Sequence, residues 1–267
     1  MPKTTPLSSR NLTARHPNYF QYKEGFAFLQ PQSTVYLVLQ KTNLRFTLVI
    51  VLTIKHSKMK ALTKETQAAI TPDNAISLLR EGNQRFQSNK EVERNLLAQV
   101  SDTSTGQYPF ATILHCVDSR VSAELVFDQG IGDVFSIRIA GNFVNEDILG
   151  SMEFTCKLAG TKVIVVLGHT ACGAVKGACD DAKLGNLTTL LSKLKPAVAA
   201  VAEPTDTSKR NSGNIDFVNH VAEKNVYMTI ENIREKSPVL KEMEDQGEIK
   251  IIGAMYDIKD GSVTFYE

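Results

Sequence analysis

Residues 110–120 read Phe-Ala-Thr-Ile-Leu-His-Cys-Val-Asp-Ser-Arg, an apolar run followed directly by a cysteine, an aspartate and an arginine. A second apolar run, over residues 162–167, is followed at 169–173 by His-Thr-Ala-Cys-Gly. Short apolar runs of this kind are typical of strands that are buried on both faces of a sheet. The chain therefore places residue types that bind metals at the ends of two predicted buried strands.

A third strand is predicted between these two, over 133–140, because Phe135, Ile137 and Ile139 alternate there. A helical pattern over 147–158 then leads to the strand at 162–167, and this order of elements predicts parallel strands with right-handed crossovers. We therefore expect an α/β fold with a central, mostly parallel β-sheet flanked by helices. Functional residues of such sheets collect outside the carboxyl ends of the strands, and both half-motifs lie there.

An N-terminal helical arm and a C-terminal hairpin complete the predicted fold. The arm begins at Thr71-Pro72, a typical helix start. Its apolar positions are Ala75, Leu78, Leu79 and Phe86. A long helix over 213–236 has an apolar face made of Val218, Val221, Ala222, Val226, Ile230 and Ile233. A shorter helix closed by Gly247 follows, and Asp260-Gly261 indicates a hairpin turn. This turn joins the predicted strands at 250–256 and 263–266.

Composition and charge divide the chain into an extension and a domain. With 267 residues, 42% of them hydrophobic, the chain can bury a sizeable core. Its net charge of +1 gives no support for nucleic-acid or membrane partners. Residues 1–58, however, contain eight Lys or Arg residues and only one acidic residue, Glu24. We therefore expect a basic, poorly ordered N-terminal extension over 1–58 and one domain over 59–267.

The composition of the extension is compatible with two roles. Its apolar run at 46–54 is too short to span a bilayer, and no small-residue cleavage site follows it. A targeting segment for an organelle or for export is one alternative, because the extension is basic and nearly free of acidic residues. A poorly ordered tail preceding a natural start at Met59 is the other.

The four cysteines favour a reducing compartment. They are too few for a disulfide scaffold, and Cys116 and Cys172 would have to be reduced thiolates to bind a metal. We therefore expect the protein to be cytoplasmic, unless residues 1–58 direct it to an organelle or to export. Cys156 and Cys179 lie in helical patterns and are expected to be buried, unreactive thiols.

The two half-motifs together predict a zinc site. Cys116, Asp118, His169 and Cys172 all follow strands of one predicted sheet edge, and thiolates, imidazole and carboxylate are the ligands of tetrahedral zinc. Taken singly, each half-motif is better explained by a satisfied core histidine or a packed cysteine.

Arg120 decides between a catalytic and a closed structural zinc site. Its planar guanidinium can hold the Asp118 carboxylate at two points and keep it off the metal. A permanently closed four-ligand site has no use for such a competitor. The alternative explanation of this pair is an ordinary surface ion pair that contributes under ~1 kcal/mol.

The motif set resembles that of the β-class carbonic anhydrases. The Cys-x-Asp-x-Arg and His-x-x-Cys-Gly half-motifs, with Arg-Ile-Ala-Gly-Asn at 138–142 between them, carry this resemblance, which runs from about Leu78 to the C-terminus. It implies that Cys116, His169 and Cys172 bind zinc and that Asp118 and Arg120 form a catalytic dyad, with Asp118 on the metal in a closed state only. It also implies substrate contacts by three residues: Gln107, Phe135 and Gly173. Many members of the family have Tyr where Phe154 stands.

The implied function is the reversible hydration of carbon dioxide to bicarbonate and a proton by a zinc-bound hydroxide. Partners implied are CO2 or bicarbonate and further copies of the chain, as a dimer or tetramer. One alternative is hydrolysis of CS2 or COS on the same fold, and another is a noncatalytic, zinc-stabilised protein with a permanently closed site. The chain has no Trp, so the inhibitory bicarbonate site of one branch is not expected.

Overall fold

The computed structural model describes residues 60–266 in full and residues 33–42 and 45–54 as strands. Its contacts divide the chain into two units, Met1–Ser57 and Lys58–Glu267. In the first unit β1 (Ser33–Thr42) pairs with β2 (Arg45–Ile54) in antiparallel register. These two strands were not predicted from the sequence, and the poorly ordered extension over 1–58 remains a prediction.

The second unit is built on a five-stranded sheet. Its strands are β3 (Ala111–His115), β4 (Val134–Arg138), β5 (Val163–His169), β6 (Lys250–Tyr256) and β7 (Val263–Tyr266). They lie in the order β4-β3-β5-β6-β7. The first four are parallel and β7 is antiparallel to β6, which confirms the mostly parallel sheet and the C-terminal hairpin. β3 and β5 are central neighbours, so their carboxyl ends meet at one edge.

Helices cover both faces of this sheet. The N-terminal arm consists of α1 (Lys64–Ala68), α2 (Pro72–Gln87) and α3 (Leu96–Asp102). The helices between strands are α4 (Ala123–Val126), α5 (Glu146–Glu153), α6 (Gly173–Cys179), α7 (Gly185–Ser192) and α8 (Lys195–Ala200). A 3-10 turn (Thr207–Lys209), α9 (Ile215–Lys236) and α10 (Pro238–Asp245) precede β6. In the described residues, no helix is long and apolar enough to cross a membrane.

Every residue of β3 and β5 is buried, because both strands have a neighbour on each side and helices above and below. Successive side chains point to opposite faces. Ile164 and Val166 therefore pack with the buried face of α9, and Val165 and Leu167 pack with α2. The predicted apolar face of α9 is confirmed, since all six of its residues are buried. These two layers hold the carboxyl ends of β3 and β5 in fixed positions.

Three local features differ from the sequence predictions. The helix predicted over 147–158 ends at Glu153 and continues as a π-helical turn, Phe154–Leu158. Leu78 is on the exposed side of α2, whereas Ala75 and Leu79 are buried. Cys156 is buried as expected, but Cys179 is only partly buried because it is the last residue of α6 and precedes an exposed turn.

Candidate metal centre

Three predicted ligands lie at the carboxyl edge of the sheet. Cys116 directly follows β3, His169 is the last residue of β5, and Cys172 is the N-cap of α6. β3 and β5 run parallel in adjacent positions, so residues far apart in the sequence meet here. The three ligand atoms all lie within 4.8 Å of one another. The sheet topology alone therefore assembles two thiols and one imidazole.

The geometry of this group fits a zinc ion. The sulfurs of Cys116 and Cys172 are 3.9 Å apart, and two sulfurs on one tetrahedral zinc ion lie about 3.8 Å apart, given zinc–sulfur bonds of about 2.3 Å. His169 is fully buried, and its Nε2 has no hydrogen-bond partner. A buried nitrogen without a partner is unfavourable unless something else binds it. The orphaned Nε2 beside two sulfurs is the arrangement that a metal ion completes.

A hydrogen bond to the backbone orients the His169 ring. Its Nδ1 lies 3.0 Å from the carbonyl oxygen of Thr170. A carbonyl oxygen only accepts, so Nδ1 carries the proton and donates it there. The lone pair is then on Nε2, the atom that faces the two sulfurs. This is the tautomer that a metal ligand requires.

The two cysteines share a buried hydrogen bond that favours a thiolate. The contact with Cys172 lowers the pKa of Cys116, and the same contact raises the pKa of Cys172. The backbone N–H of Gly141 also donates to the Cys116 sulfur, at 3.4 Å. Without a cation only Cys116 is therefore a thiolate, and a metal cation between the two buried sulfurs would allow both to ionise. The donor set is therefore matched to zinc, which prefers thiolate and imidazole ligands.

Asp118 and Arg120 form a bidentate ion pair beside this group. Arg120 donates from Nε to Oδ1 at 2.9 Å and from Nη2 to Oδ2 at 2.8 Å, and its backbone N–H donates to Oδ1 at 3.0 Å. The Arg120 guanidinium holds the pKa of Asp118 well below its usual range. Asp118 is thus a carboxylate held by Arg120 and is not part of the group of three ligands.

No role in this site was predicted from the sequence for two residues: Arg138, which was quoted only as part of the motif at 138–142, and His115. Arg138, the last residue of β4, donates from Nε to the carbonyl oxygen of Cys116 at 3.2 Å and from Nη2 to that of Asp118 at 2.9 Å. His115 is buried, with Nδ1 3.1 Å from the same Cys116 oxygen and Nε2 2.7 Å from Ser136 Oγ. β4 therefore holds the loop that carries Cys116 and Asp118.

The three predicted substrate-contact residues lie at different places. Gly173 directly follows Cys172 and has open space around it, since an added Cβ would meet nothing within 4 Å. Gln107 is exposed and precedes β3, whereas Cys116 follows it. The length of the strand, about 17 Å from the start of β3 to Cys116, therefore lies between Gln107 and the metal group. Phe135 pairs with Thr112, near the amino end of β3. Within one chain, only Gly173 is adjacent to the metal group.

Phe135 lines a groove on the edge strand β4. Its ring lies 6.4 Å from that of Phe154 in an edge-to-face arrangement, and Phe154 is 52% exposed. The groove has a volume of about 670 Å³ and is also lined by residues of α5. The π-helical turn after α5 positions Phe154 here. The groove therefore combines the two aromatic rings with acidic and other polar side chains, and it borders β4, an edge strand of the sheet among the described residues.

Comparison with known proteins gives one consistent family. A family model described as carbonic anhydrase matches residues 111–263. This range runs from the first residue of β3 to the first residue of β7, and it contains all three candidate ligands. Carbonic anhydrase 2 of Mycobacterium tuberculosis is 32% identical over 191 residues, which cover 71% of this chain and 90% of that protein.

Solved structures of similar proteins belong to the same family. A structure from a study of two tetrameric β-carbonic anhydrases of Sordaria macrospora is 25% identical, with a TM-score of 0.53 over 61% of this chain and 82% of that one. The Coccomyxa β-carbonic anhydrase, solved in complex with acetazolamide, is also 25% identical, with a TM-score of 0.55 over 62% of this chain and 75% of that one. The similarity in sequence thus extends to the fold.

Proposed function

Because the chain belongs to the β-class carbonic anhydrase family, we propose that Cys116, His169 and Cys172 hold the zinc ion of its reaction. The protein is a carbonic anhydrase, its cofactor is zinc, and its reaction is the reversible hydration of carbon dioxide to bicarbonate and a proton. The observation that carries the ligand assignment is the buried His169 Nε2, which has no partner and faces two sulfurs.

The dyad orients the nucleophile. Zinc supplies a hydroxide at neutral pH, because it lowers the pKa of a bound water molecule towards ~7. With the metal bound, Asp118 would accept a hydrogen bond from this nucleophile and so orient it for attack on CO2. Its Oδ1 already accepts two hydrogen bonds from Arg120, whereas Oδ2 accepts one, so Oδ2 keeps acceptor capacity. Arg120 keeps Asp118 ionised and away from the metal.

Gly173 leaves room for the substrate. It is the first residue of α6, it is exposed, and no atom lies within 4 Å of the position of an added Cβ. A small linear molecule can therefore approach the backbone next to Cys172. We assign the N–H of Gly173 to the contact with the reacting oxygen, since N–H groups at a helix start favour developing negative charge.

Gln107 and Phe135 act in the site of a neighbouring copy. Both lie towards the amino end of the sheet in their own chain, so they contact substrate only where a second subunit covers the site. The exposed apolar surface supports such an assembly: Phe154 is 52% exposed, and Leu97 of α3 is 82% exposed. We propose at least a dimer. The Sordaria relatives are described as tetrameric, and a tetramer of this chain would pair two such dimers.

The alternatives are not favoured. The relatives are named carbonic anhydrases, which argues against hydrolysis of CS2 or COS as the main activity. A permanently closed zinc site is not favoured because Asp118 pairs with Arg120. All four cysteines, each in the described part of the chain, are free. This supports the proposed cytoplasmic location, with targeting by residues 1–58 as the alternative.

Stopped-flow CO2 hydration with a pH indicator tests this function on the full chain. We expect rapid turnover with about one zinc per chain. Cys172→Ser should lose both zinc and activity, whereas Cys179→Ser, a matched change outside the metal centre, should keep both. Zinc binding without CO2 hydration in the wild-type chain would contradict the proposal, and turnover of COS in that case would point to the alternative substrate.

A further inference from the structure

The turn between two proposed ligands contains a residue in an unfavourable conformation. Ala171, between His169 and Cys172, has φ = +55°. A residue with a Cβ rarely adopts this left-handed conformation, which is costly for all residues except Gly and, to a lesser degree, Asn and Asp. Such a conformation persists only where the surrounding structure holds it. The contacts of this turn therefore decide where the Cys172 sulfur lies.

One contact comes from the long helix α9. The backbone N–H of Ala171 donates to Oδ1 of Asn219 at 2.8 Å. Asn219 lies in the second turn of α9, between the buried residues Phe217 and Val221. Because these residues fix the helix on the sheet, the Asn219 amide is presented from a rigid element rather than from a loop. This amide therefore satisfies the backbone N–H of Ala171, the residue of the turn that is held in an unfavourable conformation.

The His169 side of the turn has its own anchors. Thr170 donates from its backbone N–H to the carbonyl oxygen of Tyr256 at 3.0 Å. Its hydroxyl donates to Asp257 Oδ1 at 3.2 Å and accepts from the N–H of Ile258 at 3.1 Å. His169 in turn donates from Nδ1 to the Thr170 carbonyl. The end of β6 therefore fixes the position of the imidazole. The position of Cys172 relative to this imidazole then depends on the conformation of Ala171.

We propose that Asn219 is a positioning residue of the metal centre, which holds Ala171 in its left-handed conformation and so keeps the Cys172 sulfur grouped with the other two candidate ligand atoms. This inference rests on the proposed assignment of Cys116, His169 and Cys172 as ligands. Loss of a group that orients a metal ligand typically lowers metal affinity by about 10–100-fold. Loss of the Asn219 acceptor should have an effect of this size.

A matched pair of variants of the full chain tests the proposal. Asn219→Leu keeps the branching at Cγ and the number of side-chain heavy atoms but removes the acceptor, whereas Asn219→Asp keeps an acceptor for the Ala171 N–H. His220→Ala, at the exposed neighbouring position, controls for changes in the helix itself. Zinc affinity is measured by competition with a chelator, and the absorption spectrum of the cobalt-substituted protein reports the ligand geometry. Circular dichroism of the metal-free proteins checks the fold.

We expect Asn219→Leu to weaken zinc binding about 10–100-fold and to alter the cobalt spectrum, with Asn219→Asp and His220→Ala within about twofold of wild type. Adding Ala171→Gly to Asn219→Leu should restore part of the affinity, because Gly adopts positive φ without strain. Equal zinc affinity of Asn219→Leu and wild type would overturn the proposal. A wild-type chain that bound no zinc would instead remove the ligand assignment on which the proposal rests.

If Asn219→Leu does not fold, hydrogen exchange in the wild-type chain decides. The Ala171 N–H should exchange slowly, and slower than the exposed Gly173 N–H in the next turn. Rapid exchange at Ala171 in the folded protein would show that the hydrogen bond to Asn219 is not maintained and would contradict the proposal.

Discussion

The guanidinium of Arg120 meets the carboxylate of Asp118 at two points, with Nε 2.9 Å from Oδ1 and Nη2 2.8 Å from Oδ2. The pair is partly exposed at the Arg120 end and more enclosed at Asp118, where 15% of the side chain is accessible. A bidentate pair fixes the direction of the carboxylate as well as its charge. Asp118 therefore has one orientation available while Arg120 holds it.

Arg120→Ala should release Asp118 towards the metal and lower the rate of CO2 hydration. Misplacement of a catalytic group by about 1 Å reduces rates by about 10²-fold, and we expect a loss of this order. Zinc content should stay near one per chain, because all three proposed ligands remain. Arg120→Lys, which keeps the charge but not the planar fork, should lose nearly as much activity.

The measurement is stopped-flow hydration with zinc quantified in each sample, together with the cobalt spectrum. Full activity in Arg120→Ala would show that Asp118 needs no partner. A loss of zinc along with activity would show that Arg120 acts on metal binding rather than on the orientation of Asp118.

His115 should make stability depend on pH. Burial, and to a smaller extent the nearby Arg138, lowers the pKa of His115 to about 4, whereas the unfolded value is about 6.5. Below pH 6.5 the unfolded chain binds a proton that the folded chain does not, so stability falls with pH from about 6.5 to about 4. The shift corresponds to about 3 kcal/mol of unfolding free energy across this window.

His115→Gln removes the titrating group but keeps an amide for the contacts with Cys116 and Ser136. We expect its free energy of unfolding to fall less between pH 7 and pH 4 than that of wild type. Urea unfolding of both proteins, stripped of metal beforehand, measures the difference. Parallel pH profiles of the two proteins would mean that the pKa of His115 is the same in the folded and the unfolded chain, which would contradict the prediction.

The meeting of Cys116, His169 and Cys172 could be predicted from the sequence, whereas the contacts that hold them in place could not, and the reason is physical. Cys116 and His169 follow continuous apolar runs, and such runs are characteristic of central parallel strands. Ligands at two adjacent carboxyl ends must then converge. The contact of Asn219 with Ala171 depends on where α9 docks, and the contacts of Arg138 depend on the register of β4 with β3. Neither contact follows from a local signal, so periodicity could not reveal Asn219, and the motif at 138–142 could not reveal what Arg138 contacts.

The N-terminal arm and the turn that packs on the edge strand β4 show the same difference between local and non-local signals. The helix at Thr71 was predictable because Pro follows an N-cap residue, and Thr71 Oγ1 does accept from the Asn74 N–H at 3.2 Å. The π-helical turn at Phe154 was not, because the preceding helical pattern continues through it without a Gly or Pro. Side-chain packing of Phe154 against Phe135, rather than a local sequence signal, accompanies the change.

Asp128 should be important for stability. Its side chain is 2% exposed and forms ion pairs with both Arg85 and Arg94. These ion pairs join the N-terminal arm to the segment after α4. Burial raises the pKa of Asp128, but the hydrogen bonds from the two arginines outweigh this and lower it overall. Removing one partner of a buried ionic group typically costs about 3 kcal/mol or more.

Asp128→Asn should therefore lower the free energy of unfolding by about 3 kcal/mol at pH 7. Since the folded pKa is below the unfolded value, the contribution of Asp128 is present above about pH 4 and is lost as the pH falls through the folded pKa. The difference between variant and wild type should shrink at low pH. Asp181→Asn, at an exposed aspartate paired with lysines, should have little effect, and an equal loss in both variants would argue against a special role of burial.

Removal of zinc should lower the melting temperature of the wild-type chain. A ligand that binds only the folded state, present at 100 times its dissociation constant, adds about 2.7 kcal/mol of stability. For a domain of this size, that corresponds to roughly 5–10 °C. Thermal unfolding with and without a chelator measures it. Cys172→Ser should melt at the same temperature in both conditions, because one thiolate and one imidazole bind zinc far less tightly, and Cys179→Ser should respond as wild type does. A chelator effect that persisted in Cys172→Ser would place the stabilising metal outside the group of Cys116, His169 and Cys172.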